Sequence, residues 1–196
     1  GTLAPLASPV FTGNVGIGVT PETDWHSNWS AVQIGNSSFA STSNNDQTYF
    51  SFNARSTTGS SNTGNKYITN GEKASQYLQA SGNHLFKIAA AGTADAAISW
   101  TTAMTIDNSS NVLVGKTTTA LATAGLTFGS TGFASITRDG YEPLSLNRLT
   151  SGGDIAKFYK DGTAVGSIGV NASATSFNTS SDYRLKENVT PMSGAT

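Results

Sequence analysis

An all-β fold is what this sequence predicts, on three observations. Uncharged polar residues dominate: 26 Ser, 27 Thr, 16 Asn and 21 Gly make 90 of 196 residues, whereas charged residues are only 12%. Helical chains are rich in Glu, Lys, Arg and Leu, and this one is not. Aromatic residues reach 9%, and Val, Ile and Thr recur in short clusters, as strands require and disordered segments do not provide. Those clusters alternate with Ser/Asn/Gly-rich turns. The apolar content is thin for a folded β-chain, so stability is expected to come from neighbouring chains, in an oligomer.

The elements follow in order. Leu3–Phe11 holds two prolines in nine residues and is therefore extended. Gly13-Asn14-Val15-Gly16-Ile17-Gly18-Val19 is a short alternating strand. Its Asn-Val core returns 97 residues later in Asn111-Val112-Leu113-Val114-Gly115, and more loosely in Ala164-Val165-Gly166-Ser167-Ile168-Gly169. The run containing Gly13, Gly16 and Gly18 is not a nucleotide loop, since no helix-forming segment follows it. Between the first two copies, Ala31–Gly35, Thr48–Asn53 and Leu85–Ile88 each read as a strand, and Ser56–Asn65, without an apolar side chain, as a loop tip. Ala89–Ala97 is alanine-rich but broken by Gly92, so that a loop and a turn of helix fit it equally. Further on, Gly132–Arg138 and Tyr141–Leu146 flank Asp139-Gly140, and Ile155–Lys160 and Thr163–Val165 flank Asp161-Gly162. Asp-Gly between β-rich runs signals a hairpin, because both turn residues take positive φ. Pro143 points to an edge or interrupted strand.

Charge and rare residues exclude several functions. With 11 basic and 12 acidic residues the net charge is −1, so neither nucleic acid nor an anionic membrane surface is an expected partner. The absence of cysteine excludes a disulfide framework, a zinc knuckle and a thiol nucleophile. No apolar run of about 18 residues predicts a membrane-spanning helix, and the first residues lack the pattern of a secretory signal. His26 and His84 are the only histidines and neither has a partner at ligand spacing, so no metal and no cofactor is expected.

The most specific motif stands at the end: Ser181-Asp182-Tyr183-Arg184-Leu185-Lys186-Glu187-Asn188. It resembles the start of the endosialidase-type intramolecular chaperone, a self-cleaving peptidase domain at the C-terminus of phage tail fibres and tailspikes. The Asn-Val-Gly-Ile-Gly segment, the Ala103–Asp107 run and the Gly-rich hairpins are similar in style to tail-fibre tips. The resemblance implies an intertwined homotrimeric fibre tip with a β-sandwich-like or irregular β-domain and a β-hairpin or triple-β-helix stalk, carried on the virion's distal tail fibre. It divides the chain into an entry segment (1–20), a receptor-binding β-domain (21–116), a hairpin-rich stalk (117–180) and the beginning of the chaperone (181–196). It also makes Ser181 the nucleophile and Lys186 its general base, the cut falling between Ser181 and Asp182. A serine hydroxyl needs such a base, and lysine serves only when burial or a neighbouring charge such as Arg184 lowers its pKa. Sixteen residues are far fewer than a whole chaperone, so this chain is not expected to cleave itself.

A fibre tip holds a host surface glycan or outer-membrane protein. Sugars are met by aromatic faces with amide and carboxylate groups alongside. Trp25, His26 and Trp29 form a compact cluster among Asp24, Ser27 and Asn28, with Trp25 and Trp29 the leading candidates, and Tyr49, Tyr67, Tyr77 and Trp100 are dispersed in the same region. In a chain with so thin a core, the same aromatics also serve as core or subunit contacts. A polysaccharide-degrading tailspike is the alternative. It needs a carboxylate pair, and Asp46, Glu72 and Asp95 are isolated in sequence, so such a pair would assemble between subunits. A purely structural stalk suits residues 117–180 but not the irregular aromatic region.

Overall fold

The computed structural model describes residues 11–42, 46–59 and 64–179. They form fifteen strands and no helix, as an all-β reading requires. The chain divides into two units between Pro143 and Leu144. In the first, ten strands build one sheet: β1 (Val15–Ile17), β2 (Trp29–Ile34), β3 (Ser37–Thr42), β4 (Gln47–Phe52), β7 (Ala74–Ala80), β8 (Asn83–Ala89), β9 (Thr101–Ile106), β10 (Val112–Val114), β11 (Gly125–Phe128) and β12 (Ala134–Thr137), neighbours in that order. Every pair is antiparallel except β1–β2, which is parallel. The two-residue strands β5 (Arg55–Ser56) and β6 (Asn65–Lys66) form a separate hairpin inserted between β4 and β7. The second unit is a three-stranded antiparallel sheet of β13 (Gly153–Lys160), β14 (Thr163–Val170) and β15 (Thr175–Thr179).

Turn chemistry decides two of the connections. Ser81 and Gly82 between β7 and β8, and Asp161 and Gly162 between β13 and β14, all have positive φ, as a two-residue hairpin turn requires. The other Asp-Gly pair behaves differently. Gly140 has φ 77° but Asp139 does not join it, and residues 141–149 form no strand. Pro143 lacks the N–H that a returning strand would donate. Arg138 instead lies 4.7 Å over the Tyr141 ring. Residues 125–137 belong to the first unit, because Leu113 and Val114 pair in register with Thr127 and Leu126. The unit boundary thus falls inside the stretch expected to be stalk.

Alternation along each strand gives the ten-stranded sheet two faces. On the covered face one row runs Ala31, Ala40, Tyr49, Leu78, Leu85, Thr105, Leu113 and Thr127, each opposite the next. The core sits on this row. Trp25, Trp29, Ala31, Ala40, Tyr49 and Leu78 cluster together, with Ala80 and Leu85 against them. The two alanines leave room for the indoles: Trp29 packs tilted on Tyr49 at 4.8 Å and Trp25 stacks on it at 6.4 Å. The adjoining covered row, Gln33, Ser38, Ser51, Gln76 and Lys87, is polar yet buried.

Candidate binding surface

The other face of the sheet is where the chain presents itself. Its central row takes one residue from each strand: Val15, Val32, Phe39, Phe50, Tyr77, Phe86, Met104, Val114, Leu126 and Ile136. A second row adds Ile17, Ile34, Phe52 and Ile88. Phe39 and Phe50 rings lie 4.7 Å apart, and Tyr77 and Phe86 5.0 Å apart. Yet these rings are open to solvent, Phe50 at 55% and Phe86 at 42%. They line a trough of about 600 Å³ that includes Ile34, Phe39, Phe50, Phe52 and Ile88. All nine phenylalanines of the chain lie exposed.

At the turn end of β3, β4, β7 and β8 the same face becomes polar. Ser41, Thr48, Gln79 and His84 succeed one another across the strands. With Asp46 and Asn83 they line a small pocket of about 240 Å³. A hydrogen-bonded chain pre-orders it: Gln79 Nε2 donates to the Tyr77 hydroxyl at 2.9 Å, and that hydroxyl bonds His84 Nδ1. The rings of Tyr77 and His84 are stacked at 6.0 Å. An aromatic ring beside hydroxyl, amide and carboxylate groups is the chemistry that receives a saccharide.

The seven aromatic candidates from the sequence divide, Tyr77 being half-buried on the open face opposite Phe86. Trp25, Trp29, Tyr49 and Tyr67 are buried, none more than 8% exposed, so in the folded chain they are core and their ring faces are already occupied. Polar neighbours in sequence misled here, because Trp25 and Trp29 turn inward while Asp24 and Ser27 stay exposed. Trp29 Nε1 donates to the Thr58 carbonyl at 2.8 Å, and the Tyr67 hydroxyl to the Ala90 carbonyl at 2.7 Å. His26 and Trp100 are half-buried. His26 Nδ1 accepts from the Asn28 N–H at 3.2 Å, and Trp100 Nε1 donates to Asn65 Oδ1 at 3.1 Å. Ser181 and Lys186 lie outside the described residues.

Sequence reading missed Arg55. Its side chain is 2% exposed and is held by both Asp24 oxygens, by Asp95 and by the Tyr67 carbonyl at 2.7 Å. Glu22 stands 3.9 Å away. Burial alone would lower the guanidinium's pKa, but Asp24 and Asp95 outweigh it and hold it above its ordinary value. In return, the hydrogen bond from Arg55 holds the Asp24 carboxyl below its ordinary value. A glycosidase's general acid needs the opposite shift, so Asp24 in this cluster suits pinning loops onto the sheet. Asn53, fully buried, does the same at the sheet's end: its Oδ1 accepts from the N–H groups of Ile68 at 3.0 Å and Thr69 at 2.7 Å. No sequence motif announces either residue; only long-range folding gives them partners.

Comparison with protein-family models, curated proteins and solved structures found no match to this chain.

Proposed function

We propose that this chain is a protomer of a homotrimeric bacteriophage tail-fibre tip that attaches the virion to a host surface glycan or outer-membrane receptor. The observation that carries the reading is the exposure of every phenylalanine. Folded β-chains with a closed active site of their own bury such side chains, whereas a protomer of an assembled fibre leaves them for its neighbours. The resemblance of Ser181–Asn188 to a fibre chaperone junction supports the same reading, with maturation by cleavage after Ser181 in the longer, chaperone-bearing form. The polar pocket of Ser41, Asp46, Thr48, Gln79, Asn83 and His84, ordered by the Tyr77 hydroxyl at its inner edge, is where a glycan is received.

An array of bacterial capsular and O-antigen polysaccharides, probed with the purified chain, tests this. Binding to one polysaccharide class is expected, weakened at least tenfold by Gln79→Ala or His84→Ala with the solution mass unchanged. Equal binding by wild type and both variants would remove the pocket. No binding to the array or to outer-membrane extracts would overturn the receptor reading.

A further inference from the structure

We infer that the apolar rows of the open face of the ten-stranded sheet are buried against further copies of this chain, with Phe39, Phe50 and Phe86 at the middle of the contact and the polar pocket at the turn end left outside it. This rests on the reading of the chain as one protomer of a homotrimer, and names the surface that joins the protomers.

Charge is the first reason. Among all residues of the ten strands the only charged one is Lys87, which is 5% exposed on the covered face. Burial holds its ammonium below the usual lysine range. Outside the Asp46 carboxylate at the turn-end pocket, the open face therefore has no charge pattern for an unlike protein to complement, and nothing by which like surfaces would repel.

Size is the second. Ile17, Ile34, Phe39, Phe50, Phe52, Phe86, Ile88, Val114, Phe128 and Ile136 are each between 40% and 56% exposed on this face. At about 200 Å² for a large apolar side chain, that is on the order of 900 Å² of apolar surface. The largest patch on an ordinary monomer is about 300–600 Å², while each partner in a stable complex contributes about 800 Å².

The second unit supplies the third reason. Ala156, Ile168 and Phe177 stand opposite one another on one face of its sheet, and Lys157, Ser167 and Asn178 on the other. Phe158 and Phe177 are 52% and 78% exposed. An unlike partner would have to match two separate apolar faces along the chain. Another copy of the chain carries both faces in the same order, and symmetry repeats every contact.

The test uses the full chain, which has no cysteine, so that an introduced thiol is unique. Light scattering should give a mass near three times 20.2 kDa. Phe50→Cys should keep that mass and react with a thiol reagent at least 100-fold more slowly than Thr118→Cys, at an exposed position. The double variant Phe50→Ser, Phe86→Ser should fall to 20.2 kDa while the near-ultraviolet signal of the Trp25–Trp29–Tyr49 core persists. If that variant does not fold, the thiol rates decide alone. A trimer in which both thiols react at equal rates would overturn this face as the interface and leave the fibre reading standing. A wild-type monomer would overturn the interface and the homotrimer together, and polysaccharide binding would then show whether receptor recognition survives without them.

Discussion

The two faces of the ten-stranded sheet invert the usual placement of side chains. The covered face buries Gln33, Ser38, Ser51, Gln76, Lys87, Thr105 and Thr127, and the open face displays Phe39, Phe50, Phe52, Phe86 and Phe128. Some buried polar groups are satisfied: Gln33 accepts from the Glu22 N–H and donates to the Gly35 carbonyl, and the Ser38 hydroxyl donates to the Ala54 carbonyl. Others are not, among them both amide atoms of Gln76 and the hydroxyls of Thr105 and Thr127. Polar burial of this kind costs free energy unless paired, so the covered face stabilises the single chain modestly. The larger apolar resource is on the side that the chain alone leaves open. The lesson is that the aromatic ring cluster is the single chain's own core, while the phenylalanine rows are the surface on which the proposed contact between copies rests.

The sharpest way to break this comparison is Tyr49→Ala. Tyr49 is fully buried between Trp25 and Trp29, and removing the ring should cost about 3–5 kcal/mol in a denaturant melt. A loss below about 1 kcal/mol would mean that the covered face is not the core.

Next in size is Arg55→Met, which takes the Arg55 donor from the Tyr67 carbonyl and Asp95 and leaves Asp24 with Lys66 at 3.3 Å. Because Asp24 and Asp95 are 39% and 74% exposed, water takes over part of the loss, and about 2–3 kcal/mol is expected. The pH dependence follows from Asp24. Its folded pKa is below the ordinary 3.8, so the folded state binds fewer protons than the unfolded one. The stabilisation is full above that ordinary value and is lost as pH falls through the lower folded one. Thermal melts between neutral pH and pH 2 should show this acid slope in wild type and a smaller one in Arg55→Met.

The smallest effects contrast two glycines. A Cβ on Gly92 would stand 2.2 Å from the Tyr67 ring, which is buried, and a Cβ on Gly129 would stand 2.1 Å from the Phe133 ring, which is 47% exposed. Gly92→Ala should cost about 1–2 kcal/mol because the ring has nowhere to go. Gly129→Ala should cost less than about 0.5 kcal/mol because Phe133 can swing outward. Equal melting shifts would show that Phe133 is as confined as Tyr67.

Much of the strand plan was legible residue by residue. Ala31–Gly35, Thr48–Asn53, Leu85–Ile88, both Asn-Val copies and the Asp161-Gly162 hairpin became strands and a turn where alternation and turn chemistry placed them. β3 and β7 were harder to read, because Ser37–Thr42 and Ala74–Ala80 alternate small or polar residues with a single large apolar one or two. The candidate site was less legible. The Trp25–Trp29 segment reads as an exposed loop by its polar neighbours, yet loop closure over the sheet turns both rings inward. The pocket at Gln79 and His84 exists only because the ends of β3, β4, β7 and β8 lie side by side.

Composition and a period of two determined that the chain is all-β, polar, low in charge and short of core. They also determined which residues share a face, since alternation in an extended chain leaves no other arrangement. Which of the two faces is covered was decided only in three dimensions. The Trp25 segment and the β5–β6 hairpin fold back on one side, held by Arg55 and Asn53 through partners as many as 40 residues away. That long-range closure buried the serines and glutamines of one face and left the phenylalanines of the other to solvent.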